Sequence, residues 1–364
     1  MTITDTCSAA GQRLHDAGLR NFASDNYAGV HPEIITALER ANEGHQPAYG
    51  DDVYTEHLQH VMAAHFGPQA QAFPVFNGTG ANVLALQAML PPWGAVVCAA
   101  TAHIHTDENG APERVGRMKL LPVATPDGKL TPELIDREAW GWGDEHRAQP
   151  LAVSITQTTE LGTAYQVDEI KAIADYVHAR GMKLHMDGAR LPNAAAHLQR
   201  PLREFTTDAG VDVLSLGGTK NGVIFGEAVM VLNPDAVSGL KYLRKMNMQL
   251  ASKMRFASAQ LIALYEGDLW LRSAAQANAM AARLRATLEP HPMVAFTQPT
   301  ESNAVLAVLP AEATRRLRKN YRFYDWDPAR GEVRWMCAFD TTAADVDAFC
   351  AAVEAALEEA ASPE

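Results

Sequence analysis

Two short apolar runs in the middle of the chain each end on one reactive group. Leu184-His185-Met186 leads into Asp187, and residues 211–216 lead into Gly217-Gly218-Thr219-Lys220. Ligands of open α/β sheets sit beyond the carboxyl ends of the strands. Read as buried strands, the two runs bring an acid and an amine to one crevice. Further upstream, residues 73–76 read as a strand, Asn77-Gly78-Thr79-Gly80 as a glycine turn, and 81–90 as a helix stopped by Pro91-Pro92. The free N–H groups and positive dipole end of such a helix favour a phosphate. Glycine lets the backbone approach, and the Thr79 hydroxyl adds a donor. The turn is neither a Walker loop nor a GxGxxG fingerprint.

An acid and an amine so placed suit pyridoxal phosphate (PLP). A lysine forms a Schiff base with the cofactor aldehyde, and an acid beside the pyridine nitrogen keeps it protonated and able to accept electrons. Taken alone, the pair equally fits a helix-capping Asp and a surface Lys. His103 and His105 invite a zinc reading, because alternate residues of a strand share a face. With no third ligand in view and no HExxH helix, two solvated loop histidines fit better.

Short strands and helices must carry these groups. Their alternation from about 70 to 235 predicts a mostly parallel sheet with helices on both faces. Further strands are expected at 96–98, 151–155 and 227–232. Helices are expected after Pro32 (Ile34, Ile35 and Leu38 on one face), over 54–66 and over 168–180. Residues 236–290 read as helical. Residues 291–364 read as a small α+β unit, with strands at 304–309 and 331–338 and a last helix from 343. The large domain is expected over 21–258, the small one over 259–364, and a polar, partly mobile extension over 1–20.

Composition bounds the partners. At 364 residues, 47% apolar and 20% charged, the chain is long enough for two domains and a large core. A formal net charge of -12 argues against nucleic acid or an anionic membrane. Cys7, Cys98, Cys337 and Cys350 form no CxxC pair, and Cys98 and Cys337 sit in apolar runs as buried thiols. The start has no basic flank before an apolar core, and no run reaches membrane-spanning length. A cytoplasmic setting is expected.

SDN at 24–26, YGDD at 49–52, NGTGAN at 77–82, TAHIHTDENGAPE at 101–113, TQTTELG at 156–162, HMDGAR at 185–190, GGTKNG at 217–222 and KMRFASAQ at 253–260 follow one another in order. In this order, over roughly residues 21–345, the chain resembles the threonine aldolase and β-eliminating lyase family. That family has the PLP-dependent fold shared with aspartate aminotransferase: α/β, with a mostly parallel large-domain sheet and a small α+β C-terminal domain. The resemblance implies Lys220 as the Schiff-base lysine and Asp187 as the partner of the pyridine nitrogen. It implies Gly78 and Thr79 as the phosphate cradle, joined by Arg255 from a neighbouring subunit. His103 would stack on the ring, Arg190 would contact a cofactor oxygen or the substrate carboxylate, and Arg334, helped by Ser24, would bind that carboxylate. No metal is implied.

The activity so implied is retro-aldol cleavage of L-threonine, L-allo-threonine and related β-hydroxy-α-amino acids to glycine and an aldehyde. His103 would take the β-hydroxyl proton. The fold implies a homo-oligomer, a dimer or a dimer of dimers (a homotetramer). β-Elimination or transamination on the same fold is the alternative, and a non-enzymatic ligand-binding protein is another. Plainer roles also fit: a strand-end polar residue for His103, an ion pair with an acid such as Glu204 for Arg190, a solvated helix face for Arg255, a turn cap for Ser24. One departure stands out. Family members often place a second histidine near 156–160, where this chain has Thr158-Thr159-Glu160.

Overall fold

The computed structural model describes residues 13–361. Residues 1–12, most of the expected extension and including Cys7, lie outside the described residues, as do 362–364. A seven-stranded sheet is built from β1 (Gln71–Val75), β2 (Gly94–Ala99), β3 (Lys119–Val123), β4 (Gln149–Thr156), β5 (Lys183–Gly188), β6 (Val213–Leu216) and β7 (Glu227–Val231). Its spatial order is β1-β7-β6-β5-β4-β2-β3. Strands β2 to β6 are parallel, and β7 is antiparallel to both its neighbours. Every residue of β2, β6 and β7 is buried. A sheet covered on both faces needs no polar alternation, which is why these strands are plain apolar runs. Strand β3 has no counterpart among the expected strands. Its Pro122 interrupts the pattern and is tolerated because β3 lies at the sheet edge.

The helix Pro32–Ala41 buries Ile34 and Ala41, but Ile35, expected on the same face, is 48% exposed. The stretch read as one helical region divides into Leu240–Met246, Met254–Tyr265 and Leu269–Leu288. A second, antiparallel sheet has the order β10 (Tyr324–Asp327), β11 (Glu332–Met336), β9 (Ala304–Val308), β8 (Ala295–Phe296). The helices Ala311–Leu317 and Ala343–Ala361 pack with it around Val305, Trp335 and Phe349.

The chain passes from the large core to the small one inside a helix. Residue 258 falls within the helix Met254–Tyr265, whose Leu261, Leu264 and Tyr265 belong to the large core. The next helix starts on that core at Leu269 and Trp270 and ends in the small one at Ala281, Leu284 and Leu288. An unbroken helix carries the same 3.6-residue pattern through both cores, so no sequence break marks the change. Phe22 also belongs to the small core. Its ring stacks on Phe349 at 4.2 Å, and its backbone bonds to Arg322 and Met336.

Candidate active site

The parallel register sets Thr156, Asp187 and Ser215 side by side at the carboxyl ends of β4, β5 and β6. Beyond β6, the Gly217 N–H donates to Gly188 O at 3.1 Å, so the chain continues against the end of β5. A Cβ on Gly217 would lie 2.4 Å from Ala189 O, and only glycine permits that approach. Glu227 on β7 then accepts the N–H groups of Gly218 and Thr219 at 2.8 and 3.3 Å, fixing the turn that carries Lys220. Lys220 thus comes within electrostatic reach of Asp187.

Burial alone would raise the Asp187 carboxyl, but the charges of Lys220 and His103 outweigh it and hold Asp187 below the usual carboxylate range. Its two oxygens accept from the Ala189 N–H at 2.9 Å and from Asn82 Nδ2 at 2.8 Å. Burial and the neighbouring Arg190 charge lower the Lys220 amine. A desolvated amine that is more readily neutral is a better nucleophile.

The helix after β1 spans Gly78–Met89 and starts three residues before the expected 81, because Asn77 caps it, its Oδ1 accepting from the Gly80 N–H at 2.8 Å. Within the described residues the N–H groups of Gly78 and Thr79 have no acceptor, and a Cβ on Gly78 would meet nothing within 4 Å. Donors and open space together form an anion cradle. A hollow of about 340 Å³ is lined by Gly78, Thr79, His103 and Lys220. Another, of about 430 Å³ and sharing His103 and Lys220 with the first, is lined also by Ser24, Glu160, Arg190 and Arg334.

His103 opens a short helix, His103–Thr106, rather than extending a strand. His105 is therefore exposed, with the buried Ile104 between, and the two histidines share no strand face. His103 Nδ1 donates to Glu108 Oε1 at 2.9 Å, and this bond, against burial, raises the imidazole above the ordinary histidine value. Asn82 Nδ2 also donates to Glu108 Oε1, at 2.8 Å, so Glu108 and Asn82 link His103 to Asp187.

Arg190 is paired with Asp25, at 2.7 Å from Nε and 3.0 Å from Nη2, and not with Glu204, which pairs with Arg200. Arg334, on β11, lies over Trp326 at 5.1 Å and has no carboxylate within ion-pair distance among the described residues. Its Nε is buried and unbonded. Burial and the charge of Arg190 lower it to about 10. Ser24 lines the same hollow while its Oγ accepts the Asn26 N–H at 3.2 Å. Arg255 lies apart, donating to Gly44 O at 3.1 Å beside another hollow. Within one chain it does not join the crevice.

Asp25, Asn82, Glu108 and Glu227 have no site role on sequence grounds, and Glu160 stands out only as part of Thr158-Thr159-Glu160, although Asp25, Asn82, Glu108 and Glu160 fall inside quoted motifs. An acid in a loop motif has the look of a solvated residue, and only the fold buries it. The chain offers a buried carboxylate, a nearby amine and an unfilled pair of N–H donors, which fits the ring nitrogen, aldehyde and phosphate of PLP.

Residues 21–311 match the β-eliminating lyase family. The chain is 43% identical to a low specificity L-threonine aldolase of Pseudomonas sp. over 340 residues, 93% of this chain and 98% of that one. It is also 43% identical to one of Pseudomonas aeruginosa, over 88% of this chain and 93% of the other. A Leishmania major threonine aldolase structure superposes with a TM-score of 0.87 at 28% identity, covering 92% of this chain and 99% of that one.

Proposed function

The chain belongs to the β-eliminating lyase family, and from this we infer that its crevice is the active site of a PLP-dependent aldehyde-lyase. The reaction is cleavage of threonine to glycine and an aldehyde. PLP, when bound, supplies an electron-accepting ring for the pair released at Cα. The observation that carries the reading is the electrostatic coupling of buried Asp187, at the end of β5, to Lys220, which lines one hollow with the free donors of Gly78 and Thr79.

The site roles are those the family resemblance implies. Lys220 would bond the cofactor, Asp187 would partner its ring nitrogen, Gly78 and Thr79 would hold its phosphate, and His103 would stack on its ring. Arg334, a desolvated cation with no carboxylate partner among the described residues, takes the substrate carboxylate. Arg190, already paired to Asp25, flanks it, with Ser24 at the margin. Arg255 reaches the phosphate of a neighbouring subunit in a homo-oligomer, a dimer or a dimer of dimers. Among the described residues no helix is long and apolar enough to cross a membrane, and the enzyme is proposed to be cytoplasmic.

Incubation of the PLP-loaded protein with L-threonine, L-allo-threonine or phenylserine should release glycine and aldehyde in equal amounts. Turnover that depended on a keto acid would point to transamination instead. Borohydride reduction and peptide mapping should place the cofactor on Lys220; an adduct on Lys183 or Lys245 would overturn the site.

A further inference from the structure

Glu160 lies four residues beyond the end of β4. It lines the substrate-side hollow with His103, Arg190 and Lys220, yet is only 8% exposed. Its Oε1 accepts the backbone N–H of His103 at 2.7 Å and the Thr156 hydroxyl at 3.2 Å, which fixes the carboxylate. Its Oε2 is buried and has no hydrogen-bond partner. An unspent acceptor so enclosed is costly unless something else meets it.

His103 Nδ1 is committed to Glu108, which leaves only its Nε2 to take a proton, whereas Glu160 Oε2 has no partner among the described residues. We propose that Glu160, not His103, accepts the β-hydroxyl proton of the bound amino acid. The O–H pair becomes the second C–O bond of the aldehyde, the Cα–Cβ bond breaks, and its pair stays on Cα, which then takes up one proton. Amino acid becomes glycine and aldehyde with no oxidant or reductant. The proposal rests on the threonine-cleaving reading above.

The surroundings tune Glu160 for this work. Burial first, then the Asp187 charge on β5, raise its carboxyl to about 7, while His103 opposes them. Arg190 faces it from the segment after β5, and the Cys98 thiol of β2 and the Tyr165 phenol from other sides. Lys220 and Arg334 complete the wall. A group near 7 is half deprotonated at neutral pH, close to the optimum for a general base.

Glu160→Gln keeps the size and an acceptor for the His103 N–H but cannot bind the proton. The expected result is kcat for L-threonine lowered by about 10²-fold or more, with KM, the PLP absorbance and the glycine dissociation constant little changed. The wild-type rise of kcat as pH increases through about 7 should vanish in the variant. In the cofactor-free protein, the infrared carbonyl band of a buried carboxyl titrating in that range should be present in the wild type and missing from Glu160→Gln. Near-parental kcat with the same pH limb would overturn the proposal and return the proton to His103. If Glu160→Gln fails to hold PLP, Glu160→Asp, which withdraws the carboxylate by one carbon, must show the rate loss with PLP retained; parental turnover there overturns it equally. A wild-type protein that binds PLP and glycine but cleaves no β-hydroxy-amino acid would instead remove the threonine-cleaving reading, and this proposal with it.

Discussion

His185, two residues before Asp187, lies between Ser154 Oγ, 2.9 Å from Nδ1, and Ser215 Oγ, 3.0 Å from Nε2. Neither partner is charged, so burial dominates and lowers its pKa to about 4. His103 moves the opposite way because a carboxylate holds it. One residue type therefore yields a neutral strut and an imidazole shifted toward its charged form, by partner alone. The folded-state pKa of His185 lies below its unfolded value of about 6.5. The unfolded chain thus binds the extra proton first as pH falls. This contribution to stability is intact above about pH 6.5 and is lost progressively down to about pH 4, by roughly 3 kcal/mol in all. Urea midpoints of wild type and His185→Gln, taken at neutral and at mildly acidic pH, should differ in slope, with the wild type losing more. Equal acid losses would show that His185 does not carry this linkage.

At the scale of elements, the site depends on strand ends and turns meeting closely. Asn77 starts its helix early enough for Gly78 and Thr79 to present free donors. Gly217 lets the Lys220 turn run against the end of β5, where an added methyl would lie 2.4 Å from Ala189 O and 2.8 Å from its Cα. Backbone there cannot swing aside as a flexible side chain can. Gly217→Ala should cost about 1–3 kcal/mol by overpacking and separate Asp187 from Lys220. Titration with PLP, followed by absorbance, should show affinity weakened by about tenfold or more, the equivalent of some 1.4 kcal/mol. Unchanged affinity would mean that the two strand ends part without disturbing the site.

The whole molecule joins the two cores through the crevice. Asp25 follows a segment anchored in the small core by Phe22, yet it pairs with Arg190 from the segment after β5 and accepts from Asn303 Nδ2 at 3.1 Å. Burial would raise Asp25, but Arg190 and Lys220 keep it ionised. Removing one partner of so enclosed a pair leaves the other charge uncompensated. Arg255 lies outside its own chain's crevice, so its proposed phosphate contact requires a second subunit. Lys220→Ala and Arg255→Ala proteins, each inactive alone, should regain about a quarter of wild-type activity when unfolded together and reassembled, since half the dimers are mixed and each mixed dimer has one intact site. No recovery, with mixed dimers shown to form, would remove Arg255 from the site.

The sequence alone determined the alternation of buried strands and helices, the glycine turns and the strand-end Asp187 and Lys220, because periodicity and backbone freedom are local properties. It also carried the ordered motifs from which the cofactor and reaction class follow. It did not determine the changeover between cores, which falls inside one continuous helix, or the partner of Arg190, which is Asp25 and comes from 165 residues away. Nor did it mark Glu108 and Glu160 as more than loop acids. Charge state and hydrogen-bond partnership depend on what is buried against what. That is decided by contacts between distant segments, and only the tertiary structure contains them.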